Sequence, residues 1–357
     1  MQKGLSLTDL AKQIEAIEAG KKDYVVPTTK INMTPDSRIH IDGIGAFGMK
    51  PLAHDQIAQR LQIPTPYYRR MQAQQPDLLA ANVNAWLNHE PERRFVRTVD
   101  GEVRAFLSDR YRPRENQSVA AAVLPILLNQ HNGIEIMSSS ITDKNMYLKV
   151  TSNELVGELP VARNGGMVGD VLKGGICVRN SEVGCGAFDV SLFIYILACR
   201  NGMIREHSMK AYHVGKRIEA GDDEQVGFYS REAIEADSKA FMLKVRDTVT
   251  HAFDRKKFDA ELELYKQAAK DPLNTKRLDE TIEDVTKRFA LTQGEGKEVL
   301  SRLLEAGDMS KWGLSQAITN LANDVEDYER ATDLEKIGGK VIDLSVSEWR
   351  TITKLAA

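Results

Sequence analysis

The spacing of apolar residues changes twice along the chain. In residues 1–90 it follows the 3.6-residue period of an α-helix in four segments, at 5–19, 51–61, 67–71 and 76–88. Residues 24–47 instead mix Thr, Asn, Pro and Gly with β-branched side chains, which indicates irregular structure with one or two short strands. We therefore expect residues 1–90 to form a small helical subdomain.

From residue 95 the apolar positions alternate, as they do in β-strands. Residues 95–98 and 103–107 flank Asp100-Gly101, a pair typical of a two-residue hairpin turn. After a helix at 118–130, further strands are predicted at 133–140, 145–151 and 174–179. The glycine-rich residues 157–175 are expected to form a mobile connection between the last two strands.

Residues 190–197 are apolar throughout, a pattern compatible with either a strand or a buried helix. We predict a helix, because Leu192, Tyr195 and Cys199 would then lie on one face. Residues 91–218 are thus expected to form an α+β core.

Beyond residue 219 the helical period returns and continues almost to the last residue. It predicts helices at 225–258, 259–269, 279–290, 294–306 and 312–334, followed by a last strand at 338–344. The three regions 1–90, 91–218 and 219–357 together predict an α+β fold. This fold has a small antiparallel β-sheet with a β-hairpin packed on helices, an N-terminal helical subdomain and a helical C-terminal region.

Composition places the chain among ordinary soluble globular proteins, with 42% hydrophobic and 28% charged residues. The longest apolar run is about half of what spans a bilayer, so no membrane association is expected. The first residues form an amphipathic helix pattern with acids in it and are not expected to be a signal peptide. Cys177, Cys185 and Cys199 show no C-x-x-C spacing, so we expect reduced thiols in the cytoplasm.

The net charge of −3 is unevenly distributed. Residues 1–90 carry +1, residues 91–217 carry +4 and residues 218–357 carry −8. This asymmetry predicts that any polyanion binds to the middle region.

Several common catalytic motifs are absent from the sequence. It contains no G-x-x-x-x-G-K-[ST], G-x-G-x-x-G, H-E-x-x-H or G-x-S-x-G. An ATPase, a dinucleotide enzyme, a zincin or a serine hydrolase of the usual kind is therefore not expected, and we predict no cofactor.

The densest group of cations lies in and just after the predicted hairpin. It consists of seven arginines: Arg93, Arg94, Arg97, Arg104, Arg110, Arg112 and Arg114. Phe95, Phe106 and Tyr111 lie among them. Guanidinium groups pair with phosphates while aromatic rings stack on bases, so this combination is typical of a surface that binds single-stranded nucleic acid. The alternative is that the arginines pair with neighbouring acids on a solvated surface.

We expect cations on the later strands and after residue 213 to extend this surface into one basic groove. The complete set of predicted nucleic-acid-binding residues is Arg93, Arg94, Arg97, Arg104, Arg110, Tyr111, Arg112, Lys144, Tyr147, Lys149, Lys173, Arg179, Lys216 and Arg217. No catalytic residue and no metal ligand is predicted with them.

Four stretches of the chain carry a resemblance to a known family. They are residues 51–68 (with Ile63-Pro64 and Tyr67), 104–116 (with Leu107-Ser108-Asp109), 180–217 and 312–328. Here the chain resembles a family of phage- and plasmid-encoded proteins that carry a domain of unknown function. The resemblance implies a mobile genetic element in a bacterial host cell, but it implies no particular reaction.

The leading hypothesis is a single-stranded DNA-binding and annealing protein for phage or plasmid recombination. Its predicted architecture is similar to that of annealing proteins of the Red-beta and RecT type, an analogy of overall plan. The analogy implies ATP-independent annealing, a homo-oligomeric ring or filament, and a phage exonuclease or host replication protein as partner.

Two alternatives remain open at this point. One is a Mg²⁺-dependent nuclease that uses carboxylates such as Asp109, Asp143, Asp170 and Asp189. The other is an anti-defence or inhibitory protein that binds a protein partner through its acidic helical region.

Overall fold

The computed structural model of the protein describes residues 4–129, 133–163, 166–211 and 231–354. The helices are α1 (Leu7–Gly20), α2 (Pro51–Arg60), α3 (Thr65–Gln74), α4 (Pro76–His89), α5 (Asn116–Asn129), α6 (Arg231–His251), α7 (Arg255–Ala268), α8 (Leu278–Arg288), α9 (Gln293–Ala306), α10 (Lys311–Leu321), α11 (Tyr328–Ile342) and α12 (Val346–Thr353). The strands are β1 (Lys21–Pro27), β2 (Ile31–Met33), β3 (Ile39–Ile41), β4 (Gly45–Met49), β5 (Arg93–Val99), β6 (Glu102–Ser108), β7 (Ile134–Ile141), β8 (Met146–Arg163), β9 (Gly166–Asn180), β10 (Phe188–Ile196) and β11 (Asn201–Ala211). The predicted α+β class, with helical N- and C-terminal regions, is confirmed.

The first sheet has six strands in the order β1-β5-β6-β4-β3-β2, and only the β4–β6 pair is parallel. Asp100 and Gly101 both adopt positive φ, 50° and 80°, as the predicted hairpin turn requires. The hairpin of β5 and β6 is thus confirmed. Residues 21–49 supply four strands where one or two were expected, and β1 pairs with β5 along its whole length. The sheet therefore combines strands from residues 21–49 with strands from residues 93–108, on either side of the boundary predicted at residue 90.

Helices α2, α3 and α4 cover one face of this sheet. Proline occupies the first turn of each helix, where its missing N–H has no intrahelical partner to lose. Ile57, Tyr68 and Val83 from these helices are fully buried against strand residues such as Ile31 and Val96. This packing forms the first hydrophobic core.

The second sheet is an antiparallel meander of five strands in the order β11-β10-β9-β8-β7. On one face, Leu148 and Phe188 pack with Leu10 of α1 and Val123 of α5, and Phe241 of α6 joins the same core. Farther along the same face, Leu172 and Ile194 pack with Phe258 of α7 and Trp312 of α10. On the other face, α11 covers the strands through Tyr328. The sheet is therefore enclosed on both sides.

Residues 190–197 form most of strand β10, so the predicted helix is wrong. Val190 packs toward Phe241 of α6, whereas Phe193, which lies on the opposite face of the strand, packs toward Tyr328 of α11. A strand buried on both faces is apolar at every position, which removes the alternation that identifies a strand. The pattern alone therefore could not separate the two structures.

Residues 157–163 and 166–175 lie in the long paired strands β8 and β9, so the mobile connection predicted for these residues is wrong. Gly157 and Gly174 lie in the strands where α7 packs on them. A Cβ atom on Gly157 would clash with Leu262, and one on Gly174 would clash with Phe258. These two glycines thus permit close helix packing and do not form a loop.

Two predictions in the C-terminal region are also wrong. Residues 312–334 form two helices, α10 and the start of α11, because the chain leaves the helix after α10 and Asp327 caps a new one. Residues 338–344 lie mostly in α11 and form no strand. Gly338 contacts α10 at Thr319, and Gly339 contacts the backbone of Ile204 in β11. The two glycines let α11 approach both neighbours closely.

In the described part of the chain, no helix is long and apolar enough to cross a membrane.

A buried histidine joins α2 to α3. His54 Nδ1 lies 2.9 Å from the hydroxyl of Tyr68, and its Nε2 lies 3.2 Å from Nε2 of Gln72. Gln72 donates to Nε2, so the ring is neutral and its Nδ1–H donates to Tyr68. Burial, assisted by the charge of Arg69, lowers the pKa of His54 from 6.5 to about 4.

This lowered pKa predicts acid sensitivity. The unfolded chain binds a proton at His54 near pH 6.5 and the folded protein only near pH 4, so stability is complete above pH 6.5 and falls as the pH drops towards 4. When the pH is lowered from 7 to 4.5, the free energy of unfolding of the parent protein should fall by about 2 to 3 kcal/mol more than that of the His54→Asn variant. Urea titrations at both pH values measure this difference. An equal loss in the two proteins would contradict the assignment.

Candidate nucleic-acid interface

The β5–β6 hairpin lies in the interior of the first sheet, with β1 on one side and β4 on the other. Its side chains alternate as predicted: Val96 and Phe106 face the core under α2–α4, while Phe95 and Leu107 face a second cluster with Val183. Both faces are therefore covered by protein. This burial determines which of the predicted arginines can reach a nucleic acid.

Arg97 is completely buried, at 0% exposure. Its guanidinium donates to both carboxylate oxygens of Asp23 at 3.0 and 2.9 Å, to Glu115 at 2.7 Å and to the carbonyl of Glu182 at 2.8 Å. Burial lowers the pKa of Arg97, but the hydrogen bonds and negative charges around it outweigh burial and raise that pKa. Arg97 is therefore an internal ion-pair centre, and its predicted DNA contact is corrected.

Two further hairpin arginines are also held internally. Arg94 is 9% exposed, lies 5.0 Å from the ring centre of Phe106 and is 3.6 Å from Glu92, and its burial lowers its pKa. Arg104 pairs with the buried carboxylate of Glu182 at 2.5 Å. Neither guanidinium is free to bind a phosphate without breaking these contacts, so their predicted DNA contacts are corrected as well.

Tyr111 is buried behind the hairpin. Its hydroxyl donates to the carbonyl of Ser181 at 2.9 Å and accepts from the backbone N–H of Gly184 at 3.2 Å. Burial raises its pKa. The ring anchors the loop between β9 and β10 and is not available for stacking on a base.

The predicted residues of β8 lie beneath α11. Lys149, at 2% exposure, donates to Glu335 at 2.5 Å and to Thr332 at 3.0 Å, and Tyr147 donates to Glu329 at 2.6 Å. Burial lowers the pKa of Lys149, but the charge of Glu335 outweighs it and raises that pKa. The predicted contacts of Lys149 and Tyr147 with DNA are corrected, because α11 covers the polar face of the strand.

Lys173 and Arg179 of β9 lie at the margins of this covered face. Lys173 binds Glu135 at 2.7 Å and Asn153 at 2.6 Å. Arg179 is half-buried beside Gly186, where an added Cβ would lie 3.4 Å from the guanidinium carbon. Both side chains thus lie against other residues of the protein. Lys216 and Arg217 lie outside the described residues, and their role stays a prediction.

Four of the predicted cations remain exposed: Arg93, Arg110, Arg112 and Lys144. In the parts of the chain that the structure covers, none of the four forms an ion pair. The pairing of Arg94 with Ser108 places Arg93 and Arg110 at the same end of the hairpin, opposite the Asp100-Gly101 turn. We call Arg93, Arg110 and Arg112 the cationic hairpin end.

Lys144 lies apart from the cationic hairpin end. It lines a small cavity with Lys50, Val99 and Arg104, and Val99 stands beside the Asp100-Gly101 turn, at the opposite end of the hairpin. The structure thus brings three of the predicted cations, Arg93, Arg110 and Arg112, to one end of the hairpin, while Lys144 is exposed elsewhere.

A groove of about 370 Å³ adjoins the cationic hairpin end. Its lining includes Tyr67 of α3, Trp86 of α4 and Glu92, the residue directly before Arg93. The two aromatic side chains are each 47% exposed. We call this feature the Tyr67–Trp86 groove.

Neither aromatic residue was among the predicted site residues, and apolar spacing gives no signal for Trp86. In α4 the buried positions are Leu79, Ala80, Val83 and Leu87, which form one helical face. Trp86 lies seven residues after Leu79 and three after Val83, a spacing that places it at the edge of this face. Its 47% exposure is therefore evident only from the structure.

The carboxylates proposed for a nuclease do not come together. Asp143 pairs with Lys50 at 3.3 Å, Asp170 accepts from Arg163 at 2.6 Å and from Trp312 at 3.2 Å, and Asp189 accepts from Ser191 at 2.5 Å. Within the described ranges, no group of three or more His, Cys, Asp or Glu side chains is placed to hold a metal ion. The nuclease alternative therefore has no metal centre in this part of the chain.

The three cysteines are free thiols. Burial raises the pKa of Cys177 and of Cys185 to about 11, and it also raises the pKa of Cys199. The thiols are therefore protonated at neutral pH, and protonated thiols are poor nucleophiles and poor metal ligands.

The Arg97 centre generates a prediction about stability. Arg97→Ala leaves the carboxylates of Asp23 and Glu115 without their shared cation, and should cost about 3 kcal/mol of unfolding free energy. The matched control is Arg110→Ala, which should change stability by less than about 0.5 kcal/mol. Chemical denaturation measures both values. If the Arg97→Ala protein were as stable as the parent protein but bound DNA more weakly, Arg97 would belong to the DNA interface and the stability assignment would be wrong.

Comparisons with protein-family models, with curated proteins and with solved structures found no match to this chain. The resemblance to phage- and plasmid-encoded proteins therefore stays a prediction. The function has to be argued from the geometry of the cationic hairpin end and the Tyr67–Trp86 groove.

Proposed function

We propose that this protein binds single-stranded DNA through the cationic hairpin end and anneals complementary strands during recombination of a mobile element. One observation carries the proposal. Arg93, Arg110 and Arg112 are exposed, lie at the same end of one hairpin and form no ion pair with any described residue. Most other arginines of the hairpin region are used inside the fold.

Exposed guanidinium groups without carboxylate partners suit a phosphate backbone. They present several N–H donors in a planar fork and remain charged at every physiological pH. Each phosphate that they neutralise releases counterions, which supplies binding free energy and makes the affinity depend on salt.

The architecture also supports the annealing role, by analogy. A curved antiparallel sheet with a long hairpin, packed on helices and followed by a helical region, is the plan expected of phage annealing proteins. Annealing needs no nucleotide hydrolysis, since base pairing supplies the driving force. We further propose a homo-oligomer, in which edge strands of the two sheets pair or pack between copies of the chain.

The protein-binding alternative keeps one observation in its favour. The C-terminal helical region is strongly acidic, and such surfaces recruit basic partners. Two of its carboxylates are nevertheless internal, since Glu329 and Glu335 bind β8 from α11.

The proposal predicts the behaviour of a triple variant, Arg93→Ala with Arg110→Ala and Arg112→Ala. Its affinity for fluorescent oligo(dT) in EDTA should fall at least about tenfold, and the slope of log K against log salt should flatten by about 2. Fluorescence anisotropy over a salt series measures both quantities. The matched control replaces Lys270, Lys276 and Lys297 by Ala, three exposed lysines of the C-terminal region with no ion pair among the described residues.

The control variant should bind like the parent protein. Equal losses in the two triple variants would contradict the assigned surface, and no binding by the parent protein at about 50 mM salt would contradict DNA binding altogether. Annealing of complementary dye-labelled strands and mass photometry of the complexes then test annealing and oligomerisation. Strand fragments that appear only with Mg²⁺ would favour the nuclease alternative.

A further inference from the structure

We propose that the Tyr67–Trp86 groove binds a base of the DNA strand, with the base stacked on the two aromatic rings. This inference rests on the proposed function and deepens it. It assigns the bases to the groove and the phosphates to the cationic hairpin end. The exposure, the charge and the polar groups of the groove support this assignment.

The exposure of the two rings is the first argument. Among the described residues, Tyr67 and Trp86 are the aromatic side chains that remain exposed, each at 47%. The packing of their helices does not require them, because Tyr68 and Met71 supply the buried face of α3, and Leu87 belongs to that of α4. Two large rings that line one concave surface without serving the core indicate a binding site.

The charge of the groove is the second argument, and it favours a base over a phosphate. The ionisable residues of the lining are Arg60, Glu90 and Glu92, so its formal charge is −1. Arg60 is already bound to Glu92 at 2.5 Å. Phosphate is therefore disfavoured inside the groove, whereas a neutral base with N–H donors meets carboxylate and amide acceptors.

The third argument is a polar group that lacks a partner. Asn82 lines the groove, and its Oδ1 accepts no hydrogen bond from any described residue. A half-buried amide of this kind can accept from the edge of a base after a small side-chain rotation. Stacking itself is tolerant of sequence, because every base has an aromatic face.

The groove and the cationic hairpin end are continuous along the chain. Helix α4 ends at His89, Glu90 and Glu92 line the groove, and Arg93 begins β5 directly afterwards. Arg93 thus directly follows a residue of the groove lining. On this proposal, a DNA strand bound at Arg93 passes over the edge of the sheet to place a base in the groove.

Intrinsic fluorescence tests this inference. Trp86 is exposed, whereas Trp312 and Trp349 are 0% and 4% exposed, so strand-dependent quenching reports mainly on Trp86. The probes are oligo(dT) and an abasic oligonucleotide of the same length. We expect oligo(dT) to quench the fluorescence and the abasic strand to bind without quenching, on the order of 5- to 150-fold more weakly.

Variants separate stacking from folding. Tyr67→Ala with Trp86→Ala should weaken oligo(dT) binding on the order of 5- to 150-fold and leave abasic binding unchanged, while the double Phe variant should keep most of the affinity. Leu78→Ala is the matched control, because Leu78 is 48% exposed on the same helix and does not line the groove. It should bind both strands like the parent protein.

The outcomes distinguish the two proposals. Equal affinities for oligo(dT) and the abasic strand, or unchanged oligo(dT) binding by the double Ala variant, would overturn base stacking and leave DNA binding intact. Failure of the parent protein to bind either strand would overturn both proposals. If a protein partner from the host occupied the groove instead, the double Ala variant would retain its full affinity for oligo(dT).

Discussion

The buried guanidinium of Arg97 is the constraint on which the arrangement of the protein depends. A charge with 0% exposure is tolerated only when opposite charges and hydrogen-bond acceptors surround it. Arg97 obtains them from Asp23 in β1, Glu115 just before α5 and the carbonyl of Glu182 in the loop after β9. One side chain thereby connects the first sheet to the start of α5 and to the second sheet.

This requirement also determines which cations are left for binding. The net charge of +4 in residues 91–217 suggests a basic surface, but Arg97, Arg104 and Lys149 are neutralised inside the fold. Among the described hairpin residues, the exposed arginines without an ion pair are Arg93, Arg110 and Arg112, at the end of the hairpin next to the Tyr67–Trp86 groove. Under the proposed function, phosphates and bases are bound side by side there because the other arginines of the hairpin are structural.

Local sequence signals identified local structure well. Asp100-Gly101 specified its turn, and apolar spacing located most helices, because both depend on near neighbours. The predictions that were wrong concern residues whose contacts lie far away in the sequence. Nothing near Arg97 in sequence indicates that Asp23 and Glu182 will enclose it, and nothing near Gly174 indicates that Phe258 will pack on it. The exposed cations were found, whereas Trp86 was missed because its spacing from Leu79 and Val83 is that of a buried helix position.

The central claim is that a DNA strand lies across the open end of the hairpin and not on its buried faces. Photocrosslinking with an oligonucleotide that carries iododeoxyuridine tests it directly, because the activated base reacts with aromatic side chains that it contacts. We predict that mass spectrometry locates the crosslinks on Tyr67 and Trp86, and that oligo(dT) in excess suppresses them. Crosslinks confined to the second sheet or to the C-terminal helices would contradict the account.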